Sequence, residues 1–244
     1  MELKNLQQIG RGKIAKVLSD GQFAYKVFPA WYPTECIKGE VKVHDEIRKH
    51  TSLRIAECEF LKENHAIKMT LFKGETIAHR MRNAKFPLGI ETLIQCQCQI
   101  FQYQGLDLED AFSNFEFQID SSSLAYNIKS KALESLHSIE KKQILCHFDI
   151  HLENIMMSDE DVMILDWINA KLGNPVMDIA RTYILLLQYV KRKANLYLKA
   201  ICKELNYDTN DVMRAVPLMA ALRLLENDAD YFHETLKQLI LSEH

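Results

Sequence analysis

Residues 146–178 read CHFDIHLENIMMSDEDVMILDWINAKLGNPVMD. His147, Asp149, His151, Asn154 and Asp166 follow one another there, separated by apolar runs. Residues 144–148 and 162–165 have the length and composition of short strands. Each run delivers an aspartate at or just past its end, Asp149 and Asp166, where rigid backbone can hold a carboxylate pointing into a cleft.

Taken singly, these residues are ordinary loop polars between core strands. As an ordered set they suit phosphoryl transfer from a nucleotide. One carboxylate orients the acceptor hydroxyl and takes its proton, while an amide oxygen and a second carboxylate hold magnesium over the phosphates. Asp149 and Asn154 have the D-x-x-x-x-N spacing of a kinase catalytic loop, and Asp166 ends the next apolar run, where a metal-binding aspartate belongs.

The segments HFDIHLENI (147–155) and ILDWINA (164–170) resemble the aminoglycoside phosphotransferase and choline kinase group of protein-kinase-like enzymes. That group shows H-G-D-x-H-x-x-N and D-W where protein kinases show H-R-D and D-F-G. GNPVMDIAR (173–181) is similar to its G-x-P-x-x-D-L-A segment. The resemblance implies Asp149 as catalytic base, Asn154 and Asp166 as magnesium ligands, and His147 and Asp178 as supports of the loop. Phe148 departs from the group's glycine, and the expected effect is on packing beside the loop, with no chemical group lost.

The rest of the chain sets bounds. Its 244 residues suffice for one large domain or two lobes with sizeable cores. A formal net charge of −3 offers no global basic field for nucleic acid. No apolar run approaches the ~20 residues that span a bilayer, and residues 1–8 are polar, unlike a signal peptide. The six cysteines include no CxxC pair, and Cys96 and Cys98 form only C-x-C. The expectation is therefore a cytoplasmic protein with reduced thiols, no nucleic-acid partner and no membrane partner.

Residues 9–17, IGRGKIAKV, form a G-x-G-x-x-A-x-V turn between two strands, and Gly10, Gly12 and Ala15 are its phosphate-binding candidates. It is not a Walker A loop, since no GK[ST] follows. Asp20-Gly21 is a hairpin signal, and residues 23–28 are a third strand carrying Lys26. A lysine inside an apolar strand needs a partner or an exit to solvent. Downstream of the glycine turn, Lys26 reads as the lysine that pairs nucleotide phosphates.

Such a lysine needs an acid to orient it. Residues 34–49 are helical in spacing, with Ile37, Val41, His44 and Ile47 on one face and Thr34 as candidate N-cap. Glu40, beside that face, matches the group's helix glutamate, with Glu35 and Glu46 as the other candidates. Residues 60–61 and 66–71 read as two more strands. IKMTLFKGETI (67–77) resembles the group's link between lobes, which implies Met69 at the back of the adenine pocket. It also implies base recognition by the backbone of Thr70 to Phe72, with Gly74 at the turn into the second lobe.

Helices are expected over 77–82, 90–103, 122–141, 178–193, 195–205, 211–225 and 231–241. Lys191-Arg192-Lys193 then closes the fourth of them as favourable C-terminal charge. Asp107, Glu109 and Asp110, and further on Glu226, Asp228 and Asp230, form acidic clusters that could meet a cationic acceptor, though solvated helix surface is the commoner meaning.

The expected fold is α+β, a two-lobed protein-kinase-like architecture. An antiparallel-sheet nucleotide lobe covers residues 1–74 and a mostly helical catalytic and substrate lobe covers 75–244. The expected function is Mg2+-dependent transfer of the γ-phosphate of ATP or GTP to a hydroxyl of a small molecule. An atypical protein kinase is the alternative within enzymes, and a nucleotide-binding pseudokinase the alternative outside them. No A-P-E segment follows Asp166, which argues against the first, and the complete set of Lys26, Asp149, Asn154 and Asp166 argues against the second. Acceptor identity and oligomeric state are left open.

Overall fold

In the computed structural model, which describes residues 3, 6–159, 161–226 and 230–242, the chain divides into two units. The first combines residues 1–85 with 153–168, and the second combines 86–152 with 169–244. The grouping differs from a single cut at 74/75 because β6 (Glu75–Thr76) pairs antiparallel with β8 (Ile155–Met157), which pairs with β9 (Val162–Ile164).

The first unit is organised by an antiparallel sheet of β1 (Gln7–Arg11), β2 (Lys16–Ser19), β3 (Phe23–Val27), β4 (Cys58–Leu61) and β5 (Ala66–Thr70), in the order β1-β2-β3-β5-β4. Side chains alternate across a strand. Tyr25 and Ala66 therefore pack on one face with Phe23, Val27 and Leu61. On the other face Phe28, Ile67 and Ala15 pack against Ile37 of α1 (Thr34–His50). Full burial of a side chain such as Ile37 or Ile67 contributes roughly 1.5–3 kcal/mol. Lys26 shares the α1 face with Ala24 and Phe28, so it does not lie on a solvent-facing row.

α1 buries Ile37, Glu40, His44 and Ile47, and Val41 is only partly covered. Its N-cap is Pro33, without a side-chain cap, so Thr34 is the first helical residue and not the cap. Proline fixes φ near the helical value, and here no cap hydroxyl is used.

The second unit is helical apart from β7 (Ile144–Cys146) paired antiparallel with β10 (Lys171–Gly173). Its centre is α6 (Pro175–Tyr189), buried continuously from Pro175 to Leu186. Asn174 starts the helix by accepting from the Val176 N–H at 3.1 Å, and Pro175 occupies the first turn, where its missing N–H costs nothing.

Around α6 lie α3 (Gly89–Ile100), α4 (Ala111–Ser121), α5 (Tyr126–Ser138), α7 (Lys191–Leu205), α8 (Thr209–Leu224) and α9 (His233–Leu241); the short α2 (Ile77–Asn83) belongs to the first unit. α4 lies outside every helix expected from the sequence. Asp110 caps it, accepting from the Ser113 N–H at 2.8 Å, and Ser122 ends it, so α5 starts only at Tyr126. α6 stops at Tyr189 and α7 begins at Lys191, so the basic triplet opens a helix and does not close one. There its charge opposes the helix dipole. Among the described residues no helix is long and apolar enough to cross a membrane.

Candidate active site

In the first unit the Lys26 Nζ donates to Glu40 Oε1 at 2.7 Å and to Asp166 Oδ1 at 3.1 Å. Burial works against the ammonium, but the carboxylates of Asp166 and Glu40 outweigh it and hold Lys26 above the ordinary lysine range. Glu40 is 4% exposed, and burial pushes its carboxyl up against the pull of Lys26. The other two candidate acids lie elsewhere: Glu35 pairs with Lys38 and Glu46 with His50.

Asn154 and Asp166 flank the open end of one hairpin. Ile155 pairs with Ile164, and the Leu165 N–H donates to the Asn154 carbonyl at 2.8 Å. Asp166 has φ +60°, a left-handed conformation that aspartate adopts at lower cost than most residues with a side chain. It is held there by Lys26 and by its neighbour Trp167, which is fully buried and donates Nε1–H to Ile164 O at 3.0 Å.

The glycine turn lies between β1 and β2, closed by the Gly12 N–H on Ala15 O at 2.9 Å. Neither Gly10 nor Gly12 is demanded by the fold. An added Cβ would come no closer than 3.5 Å to Val17 or 3.7 Å to Ala15 O, which are ordinary contacts.

Met69 lies in β5 between Ala24 and Cys58 and packs on the α1-side core. The Thr70 N–H is committed to Glu57 O at 3.0 Å, so it is not available as a donor to a nucleotide base. Gly74 is required by close approach, because a Cβ there would lie 2.5 Å from Phe72 Cε1 and 2.6 Å from Met157 O.

In the second unit a buried carboxylate shapes the loop after β7. Asp178 of α6 accepts the Phe148 N–H at 2.7 Å and the His147 N–H at 3.3 Å, with Gln97 Nε2 at 3.4 Å. Burial pushes the Asp178 carboxyl up, opposed by His147 and these donors. His147 is fully buried, and its Nδ1 accepts the Asp149 N–H at 3.2 Å, which leaves the ring proton on Nε2.

Phe148 adopts φ +58°, a conformation glycine takes without cost. Its buried ring meets Phe115 edge-on at 4.9 Å and packs at the Cα of Gly173. The departure from glycine is thus a packing change.

Sequence reading missed Gln97, Thr182 and Tyr197, which complete the buried polar network. Gln97 donates to Thr182 at 3.2 Å, Tyr197 hydrogen-bonds Gln97, and Thr182 donates to Ile150 O at 3.2 Å. The available signal was a glutamine on the apolar face of α3. It also missed Arg181, whose Nη2 stands 3.6 Å from Asp149 Oδ1 and 2.5 Å from Glu226 Oε1.

The acidic clusters have structural work of their own. Glu109 holds Lys171 at 2.9 Å and Asn114 at 3.0 Å, Asp110 caps α4, and Glu226 bridges Arg181 and Arg223. Asp228 lies outside the described residues.

Among the described residues no group of three His, Cys, Asp or Glu side chains is placed to hold a metal alone. Magnesium needs only one or two protein ligands and completes its shell with phosphates and water. The hard oxygens of Asn154 and of Asp166, whose side chain is 40% exposed, fit that demand.

A sheet packed on one helix, a lysine–glutamate pair and a helical second unit define a kinase-like fold. The model of the phosphotransferase enzyme family matches residues 13–214, and the chain belongs to that family, as a phosphotransferase of kinase type. Among solved structures it is similar to aminoglycoside phosphotransferase APH(4)-Ia, with a TM-score of 0.71 at 13% identity, covering 97% of this chain and 93% of that one. It is likewise similar to a choline/ethanolamine kinase family protein from Mesorhizobium loti, with a TM-score of 0.67 at 13% identity and coverage of 97% and 88%. For choline kinase LicA from Streptococcus pneumoniae the TM-score is 0.66 at 12% identity, with coverage of 100% and 95%. No curated protein matches the chain by sequence.

Proposed function

We propose that this protein transfers the γ-phosphate of ATP or GTP to a hydroxyl of a small molecule. The observation that carries the reading is Lys26, shared between Glu40 at 2.7 Å and Asp166 at 3.1 Å. A partly buried ammonium so held is poised for phosphate oxygens, and it ties the sheet to the aspartate suited to the metal. A thermostable mutant of APH(4)-Ia has been solved as a ternary complex with AMP-PNP and hygromycin B, which supports a nucleotide and a small-molecule acceptor here.

In this reading Asp149 accepts the acceptor's O–H proton as the oxygen forms its bond to the γ-phosphorus. The bond from that phosphorus to the β,γ-bridging oxygen breaks, and the nucleoside diphosphate leaves. Asn154 and Asp166 would hold magnesium, which would supply positive charge against the phosphates. Lys26 and the turn at Gly10, Gly12 and Ala15 hold the phosphates, and the base lies near Met69 and the backbone of Leu71 and Phe72. Positioning and charge neutralisation supply most of the rate.

A small acceptor suits the short segment after Asp166. Only residues 167–174 precede α6, and β10 already occupies Lys171–Gly173, which leaves no long activation loop to dock a peptide. The commitment of Glu109, Asp110 and Glu226 to neighbouring side chains removes most of the case for a polycationic acceptor.

The test is thermal unfolding with ATP and GTP, with and without magnesium. A nucleotide at 100 times its Kd adds about 2.7 kcal/mol, at roughly 2–4 °C per kcal/mol for a chain of this size. A magnesium-dependent rise that Asp166→Asn loses is expected, and no rise with either nucleotide would sink the reading. ADP release with choline, ethanolamine and hygromycin B as acceptors follows, and Asp149→Asn is expected to keep the nucleotide-induced rise and lose turnover.

A further inference from the structure

Asp178 and Arg181 are three residues apart on α6, so one helix face reaches both the backbone of the Asp149 loop and the Asp149 side chain. We infer that Arg181 is a positioning residue for Asp149 and that Glu226 sets how closely it engages. The inference deepens the reading of Asp149 as base and rests on it.

Arg181 is 6% exposed in the buried stretch of α6, and its Nε has no hydrogen-bond partner among the described residues. A buried guanidinium left partly unsatisfied is a poor device for stability, since an apolar side chain of like volume serves the fold as well. Its placement makes sense through its two carboxylates. At 3.6 Å from Asp149, beyond hydrogen-bond distance, it attracts the carboxylate and biases its orientation while the direct contact goes to Glu226.

Glu226, at 2.5 Å, takes the direct bond and holds the guanidinium back. Glu226 is itself fixed by Arg223, which is 2% exposed and is held by Gln188 Oε1 at 3.0 Å and Tyr189 Oη at 3.1 Å. The titratable and charged side chains described around Asp149 in this unit thus come from its own loop (His147), from α6 (Asp178, Arg181) and from the end of α8 and the residues just after it (Arg223, Glu226).

The experiment is steady-state kinetics with Mg-ATP and the fastest of choline, ethanolamine and hygromycin B, with water as the acceptor if none is used. Arg181→Met is expected to lower kcat by about 10- to 100-fold, the scale of a misplaced catalytic group. The KM for ATP and the nucleotide-induced rise in Tm are expected to stay within error, and Arg181→Lys to recover part of the loss. Glu226→Gln, which lets the guanidinium close on Asp149, is expected to lower kcat in the wild-type background and to add nothing in Arg181→Met.

Wild-type kcat in Arg181→Met, or a full additional loss from Glu226→Gln in that background, overturns the inference. Asp149→Asn separates the failures. If it still turns over, the base assignment falls and takes this inference with it. If it is dead while Arg181→Met is unimpaired, only this inference falls. A crystal structure of Arg181→Met tests the same point without turnover: a changed Asp149 rotamer supports positioning, and an unchanged one overturns it.

Discussion

Phe148 sets strain against packing within one residue. A left-handed conformation costs a residue with a side chain about 1–2 kcal/mol, whereas removing a buried phenyl ring costs about 3–5 kcal/mol. Packing wins, so Phe148→Gly is expected to lower stability by about 2–3 kcal/mol in chemical denaturation. Turnover should largely survive, because the N–H that binds Asp178 belongs to the backbone. A stabilised Phe148→Gly would show that the strain outweighs the ring. Lys26→Met leaves Glu40 buried without its cation and is expected to cost about 3 kcal/mol, mostly recovered when Glu40→Gln is added. The measurement is the urea midpoint of the single and double variants, and additive losses would refute the coupling. At this scale local placement was readable in the sequence: Lys26 lies inside β3, and Asp149 and Asp166 lie just past β7 and β9. Arg181 was not readable in this way, because its meaning depends on Asp149 and Glu226, 32 and 45 residues away.

Elements with a strong period were readable and breaks without a breaker were not. The face of α1 follows from Ile37, His44 and Ile47, and the hairpin at Asp20-Gly21 from its turn chemistry, with Gly21 at φ +86°. The division between α6 and α7 falls at Val190, with no glycine or proline nearby, so nothing local announces it. The cap at Asp110 was there to be seen, but α4 that follows it mixes exposed Phe117 with buried Phe112 and Phe115 and blurs its period. The link after β5 depends on one contact that no propensity reports, the approach of Gly74 to Met157. Gly74→Ala places a Cβ 2.6 Å from a backbone oxygen and is expected to separate β6 from β8. Faster amide exchange in residues 75–76 and 155–157 is the observable, and unchanged protection would refute it.

For the whole molecule, thiol chemistry gives an independent check on burial. Burial pushes Cys96 up to about 12 and holds Cys146 well above the usual thiol range, whereas Cys36 is exposed. Raised values mean scarce thiolate at pH 8, so iodoacetamide is expected to modify Cys36 and to spare Cys96 and Cys146 until denaturant is added. Native labelling of Cys146 would mean that β7 opens. The kinase-like architecture was legible from one loop and one glycine turn, because a phosphoryl-transfer site constrains residue order tightly. The grouping of segments was not, since β6 recruits β8 across about a third of the chain. That interleaving has a consequence during synthesis. A ribosome that has just completed Lys85 has made the sheet, Lys26 and Glu40, but not the strands that β6 needs nor the second carboxylate that Lys26 holds. The first unit stays unfinished until residue 168 has been translated: its five-stranded sheet can form early, while the β6–β8–β9 sheet and the Lys26–Asp166 contact close only after residues 86–152 of the second unit have been made.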